Sequence, residues 1–435
     1  MKTPGPLFRP AGLCLALVLA LFPGPAAQET GPAAGGDPLY PSSDPPRLTS
    51  PGAVLMDAAT GTILYAANPD LAVPPASLTK LMTTHLVLRE IEAGRASAGD
   101  PVALPPETWA ENQPPRSSLM FLGPGQRVTL GEILLGMAVP SGNDAAVAAA
   151  LSLAPSVDAF AGMMNEEARR LRLTSTRFTE PAGISAENRT TARDFARFCR
   201  AYLEEHPRSL DLHSAPDFAY PRRANTAGAP PRTIVQYNHN RLLGGLPGGV
   251  PGVDGLKTGH IAEAGYNIAL TARRGQTRLI AVLLGSRTEE ARNRDGEVLL
   301  EWGFANFRTR RAEAVPLPPL RVWGGAARFA VLQPLPGGED GSPLAAGTPG
   351  ADLVFTASIY RGEALEQSVE FPPGERWAPL AAGTKAGFLV LRDDLGELGR
   401  IPLVLKEGVE RGSGFRRLLD RIVLFFAGLF RGSGH

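Results

Sequence analysis

Apolar and polar positions alternate along this chain in blocks that predict its elements. Ala11–Phe22 is an almost unbroken apolar run, preceded by Lys2 and Arg9 and followed by Gly24-Pro25-Ala26-Ala27-Gln28. That layout predicts a secretory signal peptide over 1–27. The run falls short of the roughly 20 apolar residues that a membrane span needs. Leu13 before Cys14 argues against a lipoprotein site. Residues 28–47, rich in Pro, Gly, Ser and Asp, read as a linker. Gly52–Asp57 and Thr62–Tyr65, flanking Ala59-Thr-Gly61, predict strand, turn and strand. After Pro74-Pro75, a helix is predicted from Ser77 to about Ala93, with Leu81, His85 and Leu88 at helical spacing. Helical pattern returns over 131–153, broken at Pro140-Ser-Gly-Asn143, and again over 157–172 and 191–204. Strands follow at Gly265–Ala272 and Arg278–Leu284, then a helix at Ala291–Phe304.

This order predicts a mixed α/β domain over 48–312. Residues 315–408 carry short apolar runs punctuated by Gly and Pro, which predicts a small all-β sandwich. From 411 to 431 the pattern becomes helical once more. Apolar residues fall at 415, 418, 419, 422, 426, 429 and 430, with Arg416, Arg417, Asp420 and Arg421 on the other face. Segment 411–435 holds five Arg and one Asp, a net charge of +4. A basic amphipathic helix of this kind suits the surface of an anionic membrane. Its alternative is packing on its own β domain; Gly412, Ser413 and Gly414 favour detachment.

Composition narrows the function. The chain has 435 residues with 44 Lys+Arg and 43 Asp+Glu, net +1, so it lacks the basic excess of a nucleic-acid binder. Lys stands only at 2, 80, 257, 385 and 406; the other 39 cations are Arg. A buried Lys can give up its proton and act as a base, and Arg cannot. The cysteines are Cys14 and Cys199, so removal of the leader leaves one thiol and no intrachain disulfide. The six histidines are scattered, without a His-Glu-x-x-His pattern, so zinc-protease chemistry has no support.

Two of the rare lysines sit in short polar motifs. Ser77-Leu-Thr-Lys80 opens a predicted helix, placing Ser77 and Lys80 on one face. Lys80, buried near a second cation, would lose its proton and activate Ser77. Ser141-Gly-Asn143 breaks a helical run and can aim a hydroxyl and an amide into a cleft, or simply cap a helix. Lys257-Thr-Gly259 precedes the strands from Gly265; a cation and a hydroxyl on an edge strand suit a carboxylate, and Gly259 admits substrate close to the backbone.

Taken in order, Ser-x-x-Lys, Ser-x-Asn and Lys-Thr-Gly resemble the motifs of penicillin-binding proteins and serine β-lactamases. Pro75–Lys80, Ser117–Leu122, Thr191–Asp194, Val253–His260, Ala264–Asn267 and Trp302–Phe304 narrow the resemblance to the low-molecular-weight penicillin-binding proteins, the D-alanyl-D-alanine carboxypeptidases. The resemblance implies the transpeptidase fold, then the β sandwich, then an amphipathic helix holding the enzyme on the periplasmic face of the inner membrane. It implies a hydrolase of cell-wall biogenesis that removes the terminal D-Ala from peptidoglycan pentapeptides through an acyl-serine and is acylated by penicillin.

In that family's terms Ser77 is the nucleophile, Lys80 its base and Ser141 the proton relay to the leaving D-Ala. Asn143 binds the peptide amide and helps hold Lys80, and Lys257 supplies positive potential. Thr258 and Arg292 hold the terminal carboxylate, and the backbone N–H groups of Ser77 and His260 form the oxyanion hole. No metal or organic cofactor is required. Two positions depart from the family's usual residues: Ile261 stands where Thr is common, and His239 where Arg is common, with Arg241 or Arg222 as possible substitutes. Three rivals remain. A β-lactamase lacks support, because no Glu-x-x-Leu-Asn pattern lies between the second and third motifs. A D,D-endopeptidase shares the acyl-enzyme and differs in its leaving amine. A non-catalytic wall scaffold would not need all three motifs.

Overall fold

The computed structural model describes residues 41, 43–227, 232–335, 344–346, 353–359, 361 and 364–431. The expected leader and most of the expected linker lie outside the described residues. The helices are α1 (Lys80–Glu92), α2 (Leu130–Ala138), α3 (Asn143–Leu153), α4 (Val157–Arg170), α5 (Ala192–Glu205), the single turn α6 (Leu210–His213), α7 (Glu289–Asn306) and α8 (Gly414–Arg431). Strands β1 (Gly52–Asp57) and β2 (Ile63–Ala67) open the fold. Two small hairpins pair β3 (Pro101–Val102) with β4 (Val128–Thr129) and β5 (Asp217–Tyr220) with β6 (Ile234–Tyr237). Then come β7 (Val253–Ile261), β8 (Gly265–Arg274) and β9 (Thr277–Ser286).

These last three join β1 and β2 in an antiparallel sheet ordered β2-β1-β9-β8-β7. The sheet is buried on both faces. Successive residues of a strand point to opposite sides. Val54, Met56, Ile280 and Val282 therefore join the core under α1, α4 and α5, while Ala53, Leu55, Ala281 and Leu283 join the one under α7. Both sets must be apolar, which is why these strands read as solid apolar runs. Threonines begin several helices: Thr129, Thr191 and Thr288 each accept a backbone N–H of the first turn. A third core lies between α2, α3 and the back of α1.

Behind α1 lies a chain of buried polar groups. Glu167 Oε1 meets His85 Nε2 at 2.7 Å, His85 Nδ1 meets His206 Nε2 at 2.8 Å, and His206 Nδ1 meets Glu92 Oε2 at 2.8 Å. Arg89 and Arg170 also bind Glu167.

Three features differ from the sequence expectation. Residues 43–50, partly inside the expected linker, dock on α7: Asn306 Oδ1 accepts from Ser43 N, Trp302 Nε1 donates to Ser43 O, and Asp295 Oδ2 accepts from Thr49 and Ser50. Residues 307–312, assigned by the sequence to the α/β domain with no strand expected there, form β10 (Phe307–Ala312), which pairs along its whole length with Leu353–Ser358 of the β-rich region. Asp57 stitches that junction, accepting from Thr309 Oγ1 and Thr356 Oγ1. The β-rich region surrounds its own apolar core, with Lys385–Asp393 and Gly396–Leu405 as its longest strands. Lastly, α8 is fastened at its start rather than detached. Asp420, on its polar side, is buried and accepts Gly324 N at 2.8 Å, while Arg416 donates to Ala326 O. Phe415, Leu418, Val423, Phe425 and Phe426 stay exposed.

Candidate active site

Ser77 lies in a 3-10 turn, Ala76–Thr79, that runs directly into α1, so the first turn of the expected helix is tighter than an α-turn. In a 3-10 turn residues three apart eclipse. Lys80 Nζ accordingly sits 3.0 Å from Ser77 Oγ. It also lies 2.7 Å from Asn143 Oδ1 and 2.6 Å from Ala182 O. A neutral amine has two hydrogens and one lone pair. The two oxygens, which can only accept, take both hydrogens, and the lone pair faces the Ser77 hydroxyl. Burial pushes the Lys80 amine down to about 7, and the negative charges of Glu180 and Asp144 keep it from falling further. The lowering comes from burial rather than from the second cation that the sequence suggested.

The surroundings hold this arrangement. Gly183 has φ +82°, and a Cβ there would lie 1.8 Å from Ala76 O, so the Ala182 carbonyl is pressed against the nucleophile turn. The Glu180 carboxylate accepts from Ala182 N, Gly183 N and Asn188 Nδ2. It is thus spent on its own loop. Asp144 accepts four backbone N–H groups, those of Met120, Phe121, Leu122 and Ala145. Asn143 N donates to Ser118 O. These bonds fix the 118–122 segment beside the Ser-x-Asn turn. Ser141 itself is buried, with φ +61° between α2 and α3.

The edge strand β7 forms the opposite wall. At Gly259 a Cβ would lie 2.9 Å from both Pro75 O and Ser77 N. Only glycine lets the strand run this close to the nucleophile. Lys257 is buried, with Nζ 3.2 Å from Thr258 O, and burial, then Lys80 and Arg292, hold its pKa well below the usual lysine range. The His260 ring is exposed and stacks on Tyr266, centroids 4.1 Å apart. Arg292, on α7, is buried and donates to Glu289 Oε1 at 3.0 Å.

A cleft of about 370 Å³ brings Ser77, Ser141, Thr258, Gly259, His260 and Arg292 together. Of the nine residues singled out from sequence, the other three, Lys80, Asn143 and Lys257, are buried. The cleft wall also includes Arg116, Ser118, His239, Arg241, Tyr266 and Glu289. Ser118 and Tyr266 lie within stretches that carry the family resemblance. Arg116 gave no signal among 39 arginines. Of the two substitutes considered for His239, Arg241 lines the cleft and Arg222 instead binds Glu132. Burial, then Lys257 and Arg241, push the His239 imidazole down to about 4, so it is neutral at neutral pH. Ile261 packs against the core under α1. Outside the cleft, ring nitrogens of His85 and His206 and a carboxylate oxygen of Glu205 lie within 4.8 Å of one another, close enough to share a cation. The His85 and His206 nitrogens are already engaged in the hydrogen-bonded chain behind α1.

The model of a family described as D-alanyl-D-alanine carboxypeptidase matches residues 41–288. The chain belongs to this family. D-alanyl-D-alanine carboxypeptidase DacC of Escherichia coli K12 is 33% identical over 378 residues, covering 86% of this chain and 87% of that protein. DacA of the same strain is 32% identical over 386 residues, covering 88% and 89%. Among solved structures, penicillin binding protein 5 from Haemophilus influenzae superposes with a TM-score of 0.72 at 31% identity, covering 85% of this chain and 100% of that one. Penicillin binding protein 6B from Escherichia coli gives 0.65 at 29%, covering 83% and 96%. The D-alanyl-D-alanine carboxypeptidase fold is thus the mixed α/β penicillin-binding fold followed by a β-rich region.

Proposed function

We propose that this protein is a serine-type D-Ala-D-Ala carboxypeptidase that removes the terminal D-Ala from peptidoglycan pentapeptides and is acylated by penicillin. The observation that carries the reading is the Lys80 amine 3.0 Å from Ser77 Oγ, with Asn143 Oδ1 at 2.7 Å and Ala182 O at 2.6 Å to take the two hydrogens of its neutral form. Lys80 takes the Ser77 proton as Oγ attacks the carbonyl of the penultimate D-Ala. The backbone N–H groups of Ser77 and His260 hold the oxyanion. Ser141 relays a proton to the amine of the departing D-Ala. Thr258 and Arg292 hold its carboxylate, Lys257 adds positive potential, and Asn143 keeps the peptide amide and Lys80 in register. Water then cleaves the acyl-serine. By this reading the enzyme is exported, and α8, with its exposed apolar side chains, rests on the periplasmic face of the inner membrane.

The test is D-alanine release from a peptide ending Lys-D-Ala-D-Ala, with Ser77→Ala as control. Release that vanishes in the variant is the expected result. Stoichiometric penicillin labelling without release points to the endopeptidase. A folded protein with neither signal is a scaffold.

A further inference from the structure

In the chain behind α1, the link between the two rings differs from the others. The outer links run from imidazole to carboxylate: His85 Nε2 to Glu167 Oε1 at 2.7 Å, and His206 Nδ1 to Glu92 Oε2 at 2.8 Å. A neutral imidazole has one N–H, and a carboxylate accepts it. With both rings neutral, the two carboxylates draw the two hydrogens. His85 Nδ1 and His206 Nε2 then face each other at 2.8 Å, lone pair toward lone pair. Such a pair repels unless a positive centre lies between the nitrogens. Both rings are buried, and Phe198 and Tyr202 pack on the His85 ring, so neither nitrogen can turn to water. Glu205, next to His206 in sequence, brings a third donor within 4.8 Å of both rings. The local charge also invites a cation. Glu92, Glu167 and Glu205 surround the pair, against two guanidiniums, Arg89 and Arg170. Burial, partly offset by Glu92, holds the His206 imidazole below its ordinary pKa, which favours the neutral form that binds a metal.

We propose that His85, His206 and Glu205 bind one divalent transition-metal ion of the zinc class, at a structural site separate from the cleft. Two imidazoles and one carboxylate suit Zn²⁺, whereas Mg²⁺ and Ca²⁺ prefer oxygen ligands throughout. Glu167 and Glu92, each on the far nitrogen of a ring, are the usual outer partners of metal-bound histidine. Zinc–nitrogen bonds in a tetrahedral site set the two nitrogens about 3.3 Å apart, so the rings open by about half an ångström to admit the ion. The Glu205 side chain is 32% exposed, which gives the ion its entry and a water its place as fourth ligand. His85 lies on α1, while Glu205 ends α5 and His206 follows it, so the ion clamps the two helices together.

The experiment titrates Zn²⁺ into the purified protein after EDTA treatment and dialysis. Calorimetry reads the stoichiometry, and thermal unfolding followed by circular dichroism reads the stability; Mg²⁺ is the control. One Zn²⁺ per chain is expected, with a Tm that rises with Zn²⁺ concentration and is unmoved by Mg²⁺, because the ion binds the folded state alone. His206→Gln should abolish the binding. Glu205→Gln keeps the size of a partly exposed side chain and with it the fold, and should weaken binding by at least about tenfold. If His206→Gln fails to fold, Glu205→Gln decides by itself. Stoichiometric binding that keeps its affinity in Glu205→Gln puts the ion at other residues and overturns the site. A folded wild-type protein that takes up no stoichiometric Zn²⁺ also overturns it, and the rings are then bridged by a proton alone.

Discussion

The Lys80 amine makes the rate of penicillin acylation a titration curve. Its value of about 7 places the ionisation in the working range. A base of that pKa is about 9% neutral at pH 6, about 50% at pH 7 and about 91% at pH 8. Acylation should therefore rise about tenfold from pH 6 to pH 8 and level off above. Penicillin suits the assay because its carboxylate does not titrate in this range. His239, at about 4, stays neutral throughout. The measurement is the second-order rate of labelling by a fluorescent penicillin under single-turnover conditions. Two variants report on the cause. Glu180→Gln and Asp144→Asn each remove a negative charge that holds the amine up, so the inflection should move to lower pH. A flat profile between pH 5.5 and 8.5 would refute Lys80 as the base, as would an inflection near the ordinary lysine value.

Gly259→Ala should slow acylation by at least about tenfold while the protein stays folded, since the new methyl group pushes β7 off the Ser77 turn; labelling rate and circular dichroism together check it. Asp144→Ala strips four backbone N–H groups of their acceptor and should cost about 2–4 kcal/mol in urea unfolding. Glu167 is held down to about 2: burial opposes this, but bonds from His85 and Arg170 outweigh it. Its folded value lies below the unfolded one, so its contribution is present above about pH 4.5 and is lost as pH falls toward 2. Glu167→Ala should flatten that part of a Tm–pH curve.

Much of the site was legible because its chemistry is local. Ser77 and Lys80 are three residues apart, Ser141 and Asn143 two, and Lys257 to Gly259 contiguous, so spacing alone brings each set to one place. Scarce lysine made Lys80 and Lys257 conspicuous. Backbone contributions left no trace: the Ala182 carbonyl that completes the Lys80 cage could belong to any residue. Arg116 was hidden for the opposite reason, since abundant arginine conceals the few that face the cleft. Strand β10 left no readable signal, because its pairing with Leu353–Ser358 depends on a partner over forty residues away. The helix α8 was read correctly as a helix, but periodicity cannot tell that Asp420 is buried against Gly324.

The chain behind α1 joins that helix to α4 and to the end of α5. Glu167 lies on α4, His85 and Glu92 on α1, and His206 directly after α5. Glu167 and both rings are buried, whereas Glu92 is half exposed, so the chain runs from the core out to the solvent. The helix that presents Lys80 at its first residue is thus tethered at its last by a link that water can reach.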